Sequence, residues 1–304
     1  MKDLRRINFV VPTFHDSFYL SAVYYAKWID PSRFIISIST LPKPFHLNIR
    51  LNDMWNEFRR PTKADVYILD TPQYYNDLYD RVPLQRLRPK HVFVTSTWNQ
   101  DMARDYFNGV EVVPRLVHPI YLSYPFNPTN KEYDLAFVGG THPRKAFKEF
   151  LKVCDELKLR CWYTGSYRAY DLYTLVDKLS KTRFLWWLSK SEGFGLPVLE
   201  ALSAGKPVVH ADYKPLSEIT SRDTSFRVKV YDVVYKRELG SIEYELHYYD
   251  PNEFAEAIIY AKDQVLRNRD EFREKCLERA RIFDARKTYK VFVDMYYHGG
   301  LDYV

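Results

Sequence analysis

Two glutamates, Glu192 and Glu200, flank a glycine loop in the string Ser189-Lys-Ser-Glu192-Gly-Phe-Gly195-Leu-Pro197-Val-Leu-Glu200-Ala-Leu-Ser-Ala-Gly205-Lys-Pro207-Val-Val209. A carboxylate has two acceptor oxygens and can take bonds from two adjacent hydroxyls, which sugars and ribose both offer. Gly193 and Gly195 let the backbone adopt positive φ and approach a ligand closely. Pro197 suits the first turn of a helix, and Gly205-Lys206-Pro207 ends that helix and opens the next strand. A glycine loop feeding a helix N-terminus presents the N–H groups of Gly193, Phe194, Gly195 and Leu196 at a positive dipole end, which is an anion site. One diphosphate site with a carboxylate on each side fits a nucleotide-diphosphate sugar. A lone Glu-x7-Glu would be read as two surface charges beside a tight turn; here the whole string argues for the site.

A second string, residues 134–145, runs Asp-Leu-Ala-Phe-Val-Gly139-Gly140-Thr-His-Pro-Arg144-Lys145. It reads as a strand, a glycine turn and two cations at a helix start. Arg144 can grip a diphosphate with a bidentate fork and Lys145 as a point charge. The plainer reading is a βα turn with a solvated basic pair; the placement ahead of the first string favours the diphosphate.

Together the strings resemble the group 1 (family 4-like) retaining glycosyltransferases, with their GT-B-type fold and Glu-x7-Glu signature. The first is similar to that family's S-x-x-E-G-F-G-L-P-x-x-E-A-x-A-x-G-x-P-V pattern. The second resembles its V-G-T-x-x-P-R-K loop, with Gly140 replacing the usual residue after the first glycine. The resemblance implies that Glu192 meets donor-sugar hydroxyls, that the backbone from Gly193 to Leu196 meets sugar and phosphates, and that Glu200 holds the ribose. It implies that Arg144 and Lys145 bind the diphosphate of a UDP- or GDP-linked donor, with no other cofactor. The expected activity is metal-independent, retaining hexosyl transfer to a glycan, lipid-linked or protein acceptor. Residues 160–165 resemble the strand and turn near the base, with Thr164 to Arg168 as base neighbours. Lys214-Pro215 stands where the family has a glycine pair, a stiffer, cationic loop that bears on donor selectivity. The resemblance covers residues 134–220 well and residues 1–120 by topology alone. The family's catalytic-side histidine sits on a strand for which the stretch between Asp70 and His91 leaves little room. His15 and His118 are the acceptor-side candidates in its place.

These residues need a scaffold. Apolar runs at residues 7–11, 34–37, 65–69, 91–95, 111–113, 134–138, 160–163, 183–187, 207–210 and 227–230 alternate with helical stretches. Near-continuous apolar strands with intervening helices predict a parallel α/β class. The expected architecture is two facing Rossmann-like domains with a shortened N-terminal one. The acceptor side spans residues 1–122, a Pro- and Asn-rich linker 123–133, and the nucleotide-sugar domain 134–283. Residues 284–304 form a helix packing back on the first domain, with Tyr289, Phe292 and Tyr296 as its stripe. Asp250, Pro251 and Glu253 predict a helix start, with Phe254, Ile258, Ala261 and Val265 on its buried face.

The bulk numbers fit. The chain has 304 residues, 46% hydrophobic and 28% charged, room for two domains. No apolar run is long enough for a membrane span. Met1 to Arg6 followed by a short apolar run is not read as a signal peptide. Three cysteines, Cys154, Cys161 and Cys276, odd in number and widely spaced, predict reduced thiols in a cytoplasmic protein rather than a disulfide or zinc site. No Asp-x-Asp metal motif occurs. A net charge of +6 suits a solvated basic surface, a phosphorylated substrate or peripheral association with an anionic membrane. A stable nucleic-acid partner is not expected. Few glutamines lean toward a thermophilic source. The rival readings are a nucleotide-sugar epimerase of the same fold, and a degenerate protein that binds nucleotide sugar or nucleic acid without turnover.

Overall fold

The computed structural model describes residues 5–14, 17–53, 62–70, 73–75, 89–104, 107–117, 120–123, 132–164, 171–237, 242–284 and 290–298. Contacts divide the chain into two units, residues 1–118 with 283–304, and residues 119–282.

The first unit holds strands β1 (Arg5–Val10), β2 (Phe34–Ser39), β3 (Leu47–Asp53), β4 (Val66–Asp70), the short β5 (Gln73–Tyr75), β6 (His91–Val94) and β7 (Glu111–Val112). Six of these form a sheet in the order β2-β1-β3-β4-β6-β7, parallel throughout. Helix α1 (Ser17–Trp28) lays Tyr25 on Phe9 of β1, ring centroids 6.1 Å apart. Helix α2 (Thr97–Ala103) is capped by Ser96, whose side chain accepts from Asn99 N at 3.1 Å.

Strand β3 was not among the expected runs. Its sequence, Leu-Asn-Ile-Arg-Leu-Asn-Asp, alternates polar and apolar residues, yet it lies in the sheet centre with Asn48, Arg50 and Asn52 buried. The Asn48 amide is matched rather than avoided. Asn8 Nδ2 donates to Asn48 Oδ1 at 3.0 Å, and Asn48 Nδ2 donates to Lys43 O at 2.9 Å.

The second unit holds the short helix α3 (Ile120–Ser123), β8 (Tyr133–Phe137), α4 (Phe147–Glu156), β9 (Cys161–Tyr163), α5 (Leu172–Ser180), β10 (Thr182–Trp187), α6 (Leu196–Ser203), β11 (Val208–Ala211), α7 (Leu216–Ile219) and β12 (Ser225–Val228). It continues with β13 (Val230–Arg237), β14 (Ile242–Tyr249), α8 (Pro251–Arg267) and α9 (Arg269–Ala280). The five-stranded sheet has the order β12-β11-β10-β8-β9 and is parallel. The α/β class read from the sequence is therefore present as two Rossmann-like sets. From β8 the chain goes to β9 on one side, then crosses to β10 on the other. The loops after β8 and β10 part there, the switch point at which parallel sheets bind ligands.

Helix α8 starts as the sequence predicts: Asp250 Oδ1 accepts from Asn252 N at 2.8 Å, Pro251 opens the helix, and Phe254, Ile258, Ala261 and Val265 are buried. Helix α10 (Lys290–His298) buries Phe292 in the first unit, 5.7 Å from Phe9 and 4.8 Å from Tyr25. Tyr289 lies outside the described residues.

Two features correct the sequence reading. Cys154 and Cys161, expected as free thiols, form a disulfide. The tight turn between α4 and β9 folds the chain back, which sets their Cα atoms 6.2 Å apart despite a separation of 7 positions; Cys276 is free and buried. The second is the antiparallel hairpin of β13 and β14, pairing Val233 with His247 and Tyr235 with Glu245, which the expected strands do not include.

No helix among the described residues is long and apolar enough to cross a membrane.

Candidate active site at the switch point

The sequence-derived residues gather at the C-terminal ends of β8 and β10. After β8 the chain passes Gly139 and Gly140 and makes a 3-10 turn at Pro143–Lys145, capped by His142 and closed by Ala146 at φ 53. The expected α-helix therefore starts after the two cations, not at them. A side chain at Gly139 would meet the Trp187 ring at 3.2 Å. Thr164, at the end of β9, pins this turn: its Oγ1 accepts from Gly139 N and donates to Gly139 O, each at 2.9 Å. Residues 165–168, expected near the base, lie outside the described residues.

After β10 the loop runs through Gly193, Phe194 and Gly195 into α6. Gly195 has φ +107, and a Cβ there would stand 2.8 Å from Leu216 Cδ2, so the position demands glycine on both counts. Helix α6 begins at Leu196 with Pro197 in its first turn and no side-chain cap bond. This helix start is where the sequence reading put its anion site; Pro197 has no N–H to offer there, and Val198 N donates to Gly195 O at 3.0 Å.

The two loops meet through charge. Lys145 Nζ donates to Glu192 Oε1 in an ion pair. Arg144 NH1 stands 3.9 Å from the same oxygen and donates to Ser191 O at 2.6 Å. Lys145 Nζ also sits 4.8 Å over the Trp187 ring, and the Arg144 guanidinium 5.8 Å from Tyr244. Burial pushes the Glu192 carboxyl upward, but Lys145 and then Arg144 outweigh it and hold it below the usual carboxylate range. Arg144, Lys145 and Glu192 thus form one cluster.

Glu200 stands apart from it on α6, beside Tyr121 of α3. Burial raises its carboxyl to about 7, with the Tyr121 hydroxyl pulling the other way. His15 and His118 lie outside the described residues. In the first unit the end of β4 carries a different feature: Asp70 Oδ2 pairs with Arg115 NH2, from beyond β7, at 2.7 Å, and Asn99 of α2 donates to Asp70 Oδ1 at 3.1 Å. No group of three or more candidate metal ligands occurs among the described residues.

Sequence reasoning missed Tyr249, Tyr213 and His247, which join Arg144 in fixing the Glu192 loop. Four successive carbonyls are each held: Leu188 O by Tyr249 Oη at 2.9 Å, Ser189 O by Tyr213 Oη at 2.7 Å, Lys190 O by His247 N at 2.8 Å, and Ser191 O by Arg144. Tyr213 stacks on His247 with centroids 3.9 Å apart, and His247 Nε2 lies 3.1 Å from Glu245 Oε1. The signal was the two-residue alternation of Ile242, Tyr244, Leu246 and Tyr248 directly ahead of the α8 cap.

Comparison with known proteins places these features in a family context. The model of the family described as Glycosyl transferases group 1 matches residues 92–262. Glycosyltransferase 335 of Sulfolobus islandicus rod-shaped virus 1, itself uncharacterised, is 34% identical over 108 residues, covering 35% of this chain and 31% of that protein. Protein ORF330 of Acidianus filamentous virus 2 (isolate Italy/Pozzuoli), named as a glycosyltransferase, is 26% identical over 199 residues, covering 54% of this chain and 58% of its own. The chain thus spans about a third of the first relative's length and somewhat over half of the second's. Among solved structures, WaaG, a glycosyltransferase involved in lipopolysaccharide biosynthesis, superposes with TM-score 0.66 at 10% identity over 96% of this chain and 99% of that one. A glycosyltransferase from Rickettsia africae ESF-5 gives TM-score 0.66 at 12% identity over the whole of both chains. At such identities the structural likeness shows the fold alone.

Proposed function

The chain belongs to the group 1 glycosyl transferases, and we propose that it moves a hexosyl group from a UDP- or GDP-linked sugar with retention of configuration and without a metal ion. The observation that carries this reading is the meeting of Arg144, Lys145 and Glu192 beside the uncapped start of α6. A diphosphate seated there takes over Lys145 from Glu192 and faces the N–H groups at Gly193 to Leu196. Glu192, released from its counter-ion, then offers its oxygens to sugar hydroxyls, while Glu200 holds the ribose. In the transfer, the bond from the sugar anomeric carbon to the β-phosphate oxygen breaks and its electron pair leaves with the diphosphate. The acceptor hydroxyl oxygen bonds to that carbon on the same face, and its proton ends on a phosphate oxygen or in water. Arg144, Lys145 and the helix end stabilise the charge that develops on the departing diphosphate, the task a metal performs elsewhere.

The acceptor is a glycan, lipid or protein hydroxyl. Peripheral association with an anionic membrane is the matching partner proposal for a lipid-linked acceptor, and cosedimentation with anionic vesicles tests it. A panel of UDP- and GDP-sugars, assayed for nucleoside-diphosphate release and anomeric outcome with and without EDTA, tests the reaction. Release that survives EDTA and yields the donor's anomeric configuration supports the reading. Turnover that requires magnesium or manganese overturns the metal-free account, and an inverted product overturns retention.

A further inference from the structure

The two strands of the β13–β14 hairpin are unequally buried. On β14, Tyr244, Glu245, Leu246 and His247 are buried in succession, so both faces of that strand are covered. On β13 the run Tyr231-Asp-Val-Val-Tyr-Lys236 is exposed at every position, with Tyr231 65%, Val233 43%, Val234 38% and Tyr235 53% exposed. Among the described residues β13 pairs with β14 alone and ends its sheet. Valine and tyrosine are the residues of an interior strand, where their side chains gain by packing on cross-strand neighbours. An edge strand also offers a row of backbone donors and acceptors to another strand.

The sequence of β13 selects the strand that fits it. In an antiparallel ladder, residues that exchange both backbone bonds alternate with residues that exchange none, and opposed residues are always of one kind. A strand pairing with its own copy about a two-fold axis must therefore have the axis at a residue and not between two. With the axis at Val234, Asp232 stands opposite Lys236, and the symmetry makes that ion pair twice. Val234 meets Val234 between the two pairs, on the same face. Val233 meets Tyr235 on the other face, again twice. Acid with base and β-branched with aromatic are pairings that stabilise antiparallel ladders. An axis at Val233 would set Asp232 opposite Val234 and Lys236 opposite Val230, and an axis at Tyr235 would set Lys236 opposite Val234, so either shift loses the charge match. Inside the hairpin Asp232 and Lys236 stand opposite Tyr248 and Tyr244, not opposite charges. Charges on an edge strand ordinarily deter pairing; in this one register they are complementary.

We propose that β13 is a self-association edge, along which two copies of the chain pair antiparallel over Tyr231–Lys236 about a two-fold axis at Val234, joining the two hairpins into one continuous sheet. The occupant is a second copy because a single strand supplies both halves of each ion pair and both halves of each Val233–Tyr235 contact.

The test is sedimentation velocity of the full chain over a concentration series, with circular dichroism checking that each variant is folded. Wild type is expected to be dimeric at about 0.1 mM. Asp232→Lys and Lys236→Asp each set like charges opposite one another on both sides of the axis, and each alone should weaken the dimer about tenfold or more. Mixed in equal amounts, the two singly reversed proteins are complementary on both sides and should form a heterodimer about as tight as the wild-type dimer. A variant that had merely lost its fold would not recover on mixing. Wild type monomeric at about 0.1 mM overturns the proposal. So do a dimer indifferent to both reversals, a loss that mixing does not restore, and growth beyond the dimer.

Discussion

Lys145 and Glu192, 47 positions apart in sequence, share a buried ion pair that ties the loop after β8 to the loop after β10. The pair puts the diphosphate cation and the sugar carboxylate of the proposed mechanism in direct contact, so binding a donor means exchanging one anion for another at Lys145. The exchange leaves Glu192, 8% exposed, as a buried carboxylate without its cation, a cost that hydrogen bonds from the sugar hydroxyls must offset in this mechanism.

Replacing Arg144 and Lys145 together with Ala should therefore weaken nucleoside-diphosphate binding by several kcal/mol at most, charged hydrogen bonds contributing roughly 1.5–3 kcal/mol each. Calorimetry showing unchanged affinity would remove both residues from the site. The pair also sets an acid limit. Glu192 is held below the usual range, so its contribution is present above the unfolded pKa, about 4.3, and is lost as pH falls through the lower folded value. Denaturation between pH 5 and strongly acid pH, about 2, should show a shallower loss of stability in Glu192→Gln than in wild type; equal slopes would contradict it.

Legibility in the sequence followed local chemistry. Glycine turns, the Asp250 cap and the apolar β8 and β10 announce themselves over a few residues, and with them came the second sheet and the cluster of Arg144, Lys145 and Glu192. Strand β3 did not, because it buries polar residues, and the Asn48 amide finds its partner in Asn8, 40 positions away. The carbonyl clamps from His247 and Tyr249 likewise depend on a hairpin laid beside the loop and that from Tyr213 on the turn after β11, and no spacing in the loop itself encodes them. The disulfide was missed because cysteine count was weighed and the tightness of the α4–β9 turn was not.

Gly195→Ala should cost stability and donor affinity together. The new side chain would have to hold φ near +107 while pressing on Leu216, and left-handed strain alone costs about 1–3 kcal/mol. Adding Leu216→Ala frees the space but not the backbone, so it should not restore the loss. Chemical denaturation reads the stability and nucleoside-diphosphate calorimetry the affinity. A Gly195→Ala protein as stable as wild type would show that the loop relaxes freely.

Reduction of the Cys154–Cys161 bond should destabilise the second unit. Closing a short loop of this size is worth about 2–3 kcal/mol in the chain-entropy account, so dithiothreitol should lower the Tm of wild type. A Cys154→Ser, Cys161→Ser protein should start lower and show no response to reductant. Free-thiol titration of the unfolded, unreduced chain gives the direct count: one reactive thiol, from Cys276, is expected, and three would mean the bond does not form.

The two glutamates should part company in function, and pH should separate them. Glu200 faces Tyr121 with its carboxyl raised to about 7, whereas Glu192 is ionised throughout the neutral range. If Glu200 accepts from ribose hydroxyls it must be ionised to do so with both oxygens. Nucleoside-diphosphate affinity in wild type should then rise as pH climbs through about 7, and Glu200→Gln should bind more weakly with that step removed. Stability runs the opposite way. A raised carboxyl pKa stabilises the fold fully below the unfolded value and loses that contribution as pH rises through about 7, a change on the order of 2–3 kcal/mol that Glu200→Gln should abolish. Glu192→Gln should keep nucleoside-diphosphate affinity near wild type, or tighten it by freeing Lys145, and depress kcat, because its contact is with the group that moves and counts most in the transition state. Affinity, kcat and denaturation measured across pH 5.5–8.5, a window spanning about 7, test the whole scheme. A pH step in binding that survives in Glu200→Gln would assign it to another group, and equal losses of affinity and kcat in both variants would refute the division of roles.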